Sequence, residues 1–147
     1  MNKSEASQLA ARTGGGPYAV DVYCDDGSHR ETSYRVTTFV INPLDQPPMW
    51  DIYVESKKWR RGHGQQLTKA HADVRVVLRG DRRLTDDEIS ADTFADPDVR
   101  VRYRLLCGLC DRSVELRGEK LHPVLDQIAL GGLPHIRLAR LAAIVSN

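Results

Sequence analysis

The stretch "VRYRLLCGLCDRSVELRG", residues 101–118, decides the fold. Together with the preceding Val99 and Arg100, it places Val99, Val101, Tyr103 and Leu105 on one side of an extended chain. Arg100, Arg102 and Arg104 fall on the other side, the two-residue period of a half-buried strand. "DRSVELR" (111–117) returns after the CGLC turn, so 99–117 reads as a β-hairpin. A second hairpin lies upstream. "YAVDVYC" (18–24) alternates, "CDDGSH" (24–29) supplies the Asp-Gly of a tight turn, and "ETSYRVTTFVI" (31–41) is β-branched and aromatic.

Each turn carries residues that ligate metals. Cys107 and Cys110 have the two-residue spacing that wraps a turn around an ion, and Cys24 and His29 are separated by four residues with Gly27 between them. Side by side, the two turns make a closed Cys3His set with no open position for substrate, which suits a structural Zn²⁺. Two other readings of the same cysteines stand beside this one: small hydrophobes in a core, or a redox pair. A thioredoxin-like pair usually opens a helix near a βαβ unit, whereas this CxxC joins two strands. His63, His71 and His122 are the fallback ligands. The arrangement resembles a zinc ribbon, in which two hairpin knuckles each supply two ligands. The resemblance covers Tyr18–Ile41 and Val99–Arg117 and rests on Cys24, His29, Cys107 and Cys110. It implies an α+β fold in which the two hairpins form one ribbon-like sheet, followed by C-terminal helices. Histidine replaces one thiolate here, and 77 residues (30–106) separate the two pairs, so the resemblance requires an insertion between the knuckles.

The remaining segments fit around the hairpins as a single domain, 1–147, with a flexible N-terminal segment at 1–16 and an insertion at 43–98. "SEASQLAAR" (4–12) is a short helix capped by Ser4 and ended by "TGGGP". "DIYVE" and "VRVVLR" suggest strands, with "KKWRRGHGQQ" (57–66) an exposed loop between them. Thr85 and Glu88 form a capping box at the start of a short helix over 84–94. Pro123 suits the first turn of a helix whose apolar stripe is Leu121, Val124, Leu125 and Ile128, and Gly131 and Gly132 end it. "HIRLARLAAIVSN" places Leu138, Leu141, Ala142 and Val145 on one helical face, with room for a short strand at its start.

Composition bounds the function classes. The chain has 147 residues, 41% hydrophobic and 28% charged, an ordinary globular balance, with no apolar run approaching the roughly 18 residues of a membrane span. No apolar leader precedes the first helix, so a cytoplasmic protein with no membrane partner is expected. The net charge is only +1, yet nine lysines and arginines against two aspartates crowd 57–83, and six acids with no base follow in 84–98. No nucleophile elbow, phosphate-binding glycine loop, HExxH or dinucleotide fingerprint occurs, which argues against an enzyme. A small nuclease built on His63 or His71 is the residual enzymatic reading. Binding is the stronger one. Lys57, Lys58, Arg60 and Arg61 surround Trp59, and cations that contact phosphates beside an aromatic that stacks on bases suit DNA or RNA. Arg102 and Arg104 extend that set. The expectation is a non-enzymatic, zinc-stabilised regulator that binds nucleic acid; the alternative is a module that docks on a protein partner within a larger assembly.

Overall fold

A computed structural model describes residues 1–26, 29, 33–53 and 74–146. The elements in chain order are α1 (Lys3–Thr13), β1 (Tyr18–Cys24), β2 (Tyr34–Ile41), β3 (Trp50–Tyr53), β4 (Arg75–Arg79), β5 (Arg82–Arg83), β6 (Val99–Leu106), β7 (Ser113–Arg117), α2 (Gly118–Leu130), β8 (His135–Arg137) and α3 (Leu138–Ser146). Single-turn 3-10 segments occupy Asp86–Glu88 and Ala91–Ala95. The class is α+β, with two four-stranded sheets ordered β3-β2-β1-β8 and β5-β4-β6-β7.

The two hairpins are β1–β2 and β6–β7, both antiparallel. They do not share one ribbon sheet. Each hairpin seeds its own sheet, because the chain between them adds β3 beside β2 and β4 beside β6. The sheets meet through their apolar faces. Phe39 of β2 and Tyr103 of β6 pack edge to face with centroids 5.3 Å apart, and both are buried. One apolar cluster runs through both sheets and the helices, from Leu9 of α1 through Val20, Val22, Ile52 and Leu105 to Leu121, Leu125, Leu138 and Leu141. The expected stripes on α2 and α3 are the faces that supply it.

Several local expectations change. Asn2, not Ser4, caps α1: its Oδ1 accepts the Glu5 N–H at 2.8 Å while Glu5 accepts from the Asn2 N–H, and Gly14 ends the helix with φ +65°. The helix over 84–94 is two 3-10 turns instead; the Thr85–Glu88 capping box is present, but Ile89 is already extended. Pro123 lies inside α2 rather than in its first turn, because the helix begins directly after β7 at Gly118. The carbonyl that Pro123 leaves without a helical donor belongs to exposed Glu119. Gly118 permits that abrupt strand-to-helix join, since a Cβ there would lie 2.9 Å from the Val101 carbonyl oxygen. The short strand before the last helix forms as β8, pairing parallel to β1 through Asp21–Tyr23. Among the described residues, no helix is long and apolar enough to cross a membrane.

Candidate metal centre

The end of each hairpin delivers two of the four converging side chains. β1 ends at Cys24, just past a bulge between Val22 and Tyr23 that places an extra residue on β2; bulges bend strand ends. The His29 N–H donates to the Asp26 carbonyl at 2.9 Å, and the imidazole lies beside Cys24. In the second hairpin the Cys107 N–H donates to the Arg112 carbonyl at 2.9 Å, and the Asp111 N–H to the Cys107 carbonyl at 3.0 Å. Asp111 takes a positive φ of 58°, tightening the loop so that Cys107 and Cys110 face the same side. Gly108 at the tip lies under the Tyr34 side chain, where a Cβ would come within 2.7 Å of the phenol oxygen.

The ligand atoms of Cys24, His29, Cys107 and Cys110 all lie within 4.8 Å of one another. Cys24 Sγ is 3.6 Å from His29 Nε2 and 3.7 Å from Cys110 Sγ, and Cys107 Sγ is 3.3 Å from His29 Nε2. A tetrahedral ion with Zn–S of about 2.3 Å and Zn–N of about 2.0–2.1 Å separates two sulfurs by about 3.8 Å and a sulfur from a nitrogen by about 3.6 Å. Three of the six edges, at 3.3, 3.6 and 3.7 Å, lie close to those of that tetrahedron. They do not match a disulfide, whose sulfurs lie about 2.05 Å apart, and all three cysteines are free. Cys24, His29 and Cys107 are buried and Cys110 is half-buried, so the group is closed to substrate but within reach of an ion.

The electrostatics are asymmetric. Burial pushes the Cys24 thiol up to about 11, whereas the hydrogen bond with His29 brings Cys110 down to about 7. Deprotonating three thiols packed this closely sets like charges side by side, a cost that a bound divalent ion removes as the protons leave. The paired acids beside the first turn are engaged in ion pairs. Asp26 meets Arg112 of the opposite turn at 3.6 Å, and Asp25 meets Arg137 of β8 at 3.0 Å. The first contact ties the two turns together alongside the Cys3His group, and the second ties the first turn to β8.

The other expected residues divide into two sets. Lys57, Lys58, Trp59, Arg60 and Arg61, with His63 and His71, lie outside the described residues. Arg102 and Arg104 are exposed on β6. His122, a fallback ligand, is engaged elsewhere: its Nε2 is 2.7 Å from the buried Tyr103 hydroxyl, and burial lowers its pKa. That Tyr–His pair, and Asp126 accepting from Trp50 Nε1 at 2.7 Å, carry no sequence signal. Their partners are 19 and 76 residues apart and meet only once the sheets and α2 are assembled. Comparison with protein-family models, curated proteins and solved structures found no match. The chain's own geometry therefore carries the functional reading.

Proposed function

We infer that Cys24, His29, Cys107 and Cys110 hold one structural Zn²⁺, and that the protein so stabilised is a non-enzymatic module that binds nucleic acid. The observation that carries the metal reading is the closeness of three ligand separations, 3.3, 3.6 and 3.7 Å, to the edges of a zinc tetrahedron. Donor chemistry points the same way: three soft sulfurs and one imidazole, four-coordinate and shielded, suit zinc better than an oxygen-seeking cation. The ion's task would be energetic. It ties the turn of one sheet to the turn of the other, and structural zinc sites contribute apparent binding energies of about 10–16 kcal/mol.

Support for nucleic acid as the partner comes from charge. Arg102 and Arg104 stand exposed beside the metal turn, and the sequence crowds further cations into 57–83. A second reading, docking on a protein partner, draws on exposed Leu133 and Ile144 near the C-terminal end. Titration of the metal-free chain with Co²⁺, followed by absorption, tests the centre: intense tetrahedral and thiolate-to-metal bands saturating at one ion per chain are expected. Absence of those bands refutes the metal reading. Binding of mixed-sequence nucleic acid at two salt concentrations tests the partner. Absence of salt-dependent binding favours the protein-docking reading, in which Ile144→Asp weakens capture of the protein partner.

A further inference from the structure

The second sheet has an outer face that the metal centre does not use, and its composition is fixed by register. Arg100 of β6 sits opposite Leu78 of β4, which sits opposite Arg83 of β5. One step along, Arg102 lies between Val76 and Arg117. Another step along, Arg104 faces Glu115 of β7. The partly buried Val76 and Leu78 floor a shallow concavity lined also by Arg83, Arg102, Arg104 and Arg117. The face thus presents five arginines and one glutamate.

Four of these arginines differ from those that meet a carboxylate elsewhere among the described residues. Arg75, Arg79, Arg82, Arg112 and Arg137 each pair with a named carboxylate: Asp51, Asp96, Glu88, Asp26 and Asp25. Among the described residues, Arg100, Arg102, Arg104 and Arg117 make no such ion pair. Within 84–98, Asp96 and Glu88 are taken by Arg79 and Arg82, off this face, and none of the carboxylates named here pairs with Arg100, Arg102, Arg104 or Arg117, so the face stays positive. Its arginines repeat every second residue along β6, about 6.8 Å apart, and neighbouring strands stand about 4.8 Å away. That grid is on the scale of the phosphate step of a nucleic-acid backbone, and guanidinium groups bind phosphate in a two-pronged fashion.

We propose that this face binds the sugar–phosphate backbone of double-helical nucleic acid without reading its sequence. The choice of a duplex follows from what the face lacks. Proteins that hold single strands add aromatic side chains on which bases stack, and the face positions 76, 78, 83, 100, 102, 104, 106, 113, 115 and 117 contain none. Attraction then rests on phosphates alone, and a duplex offers them at the higher density, one charge per about 1.7 Å of helix axis. A four-stranded sheet is also too broad for the major groove, which admits a helix or a two-stranded ribbon. Docking is therefore across the backbone, with the metal turn at one end of the surface. The proposal rests on the nucleic-acid reading of the preceding subsection and names its contact surface.

The test is fluorescence anisotropy with a mixed-sequence 20-base-pair duplex and its separated strand, using the metal-loaded full chain. With four phosphate contacts, the log–log salt slope should be about −3.6, a loss of roughly 10²-fold between 50 and 200 mM salt. The variant R102E/R104E should lose at least tenfold in duplex affinity while K3A/K120A, at two exposed helix lysines, keeps most of it, and R102Q/R104Q should reduce the slope by about two. Unchanged zinc content and circular dichroism show that the variants are folded; if the charge reversal prevents folding, the neutral pair supplies the same reading. Duplex binding by the wild type that both arginine variants retain overturns the sheet face and leaves the nucleic-acid reading standing. Tighter binding of the single strand overturns the duplex choice. Failure of the wild type to bind either probe at 50 mM salt, or capture of poly-glutamate alone, overturns both readings together.

Discussion

Cys110→Ser separates a metal ligand from a core cysteine more sharply than any other substitution in the cluster. Cys107 is fully buried within the apolar core, so a serine there places a hydroxyl among apolar neighbours and costs about 1–3 kcal/mol whether or not an ion is bound. Cys110 is half-buried at the turn. As an ordinary thiol its replacement by serine should cost no more than about 0.5 kcal/mol, the usual range for surface changes. As one of four ligands it shares in an apparent binding energy of about 10–16 kcal/mol, so an equal share is about 3–4 kcal/mol. For a chain of this size, about 3 kcal/mol lowers Tm by roughly 10 °C. The assay is thermal unfolding of wild type and variant, each with and without a strong chelator. Chelation removes the whole contribution, so it should lower the wild type further than the substitution does, and should move the variant less than it moves the wild type. A variant that melts with the wild type, or a wild type indifferent to the chelator, refutes the reasoning.

Three further outcomes are expected. Burial against Tyr103 lowers the His122 pKa below its usual 6.5, so the folded state binds fewer protons than the unfolded one. The resulting stability is present above about pH 6.5 and is lost as pH falls through the lowered value; His122→Gln should flatten that part of the Tm–pH curve, and parallel curves would contradict it. Gly118→Ala should destabilise by about 1–3 kcal/mol in urea unfolding despite alanine's better helix propensity, because its Cβ meets the Val101 carbonyl oxygen at 2.9 Å. A neutral or stabilising result would contradict that contact. Asp126→Ala leaves the indole N–H of buried Trp50 without its acceptor at 2.7 Å, and should cost about 1–3 kcal/mol by the same measurement. An unchanged midpoint would show that the bond carries no net stability.

The parts of this fold written in local chemistry are legible in the sequence itself. Alternation at Val99–Leu105 and β-branching at 34–41 specify strands, and CGLC specifies where the second pair reverses, so both strand pairs could be read directly; the Asp-Gly expected to turn the first pair lies partly outside the described residues, within the nine residues between Cys24 and Tyr34. The Cys3His set could be read because ligand spacing is itself a local property: each pair needs only its own turn. Less legible was everything decided by partners far along the chain. Nothing in "HIR" announces a parallel strand; β8 forms because α2 returns the chain to the free edge of β1. The separation of the hairpins into two sheets depends on where β3 and β4 pair, which a ribbon pattern does not encode. Pro123 misled because its preference for a first turn was outweighed by the helical start that Gly118 allows immediately after β7. The cationic face was half visible: the arginines at 100, 102 and 104 could be read as one side of a strand, but Arg83 and Arg117 joined them only through register.

X-ray absorption at the zinc edge of the protein purified without added metal probes the junction between the two hairpins most directly. The expected spectrum corresponds to one zinc per chain, with three sulfurs at about 2.3 Å and one nitrogen at about 2.0–2.1 Å. A chain that carries no stoichiometric metal, or an ion surrounded by oxygen in place of sulfur, would contradict the Cys3His centre.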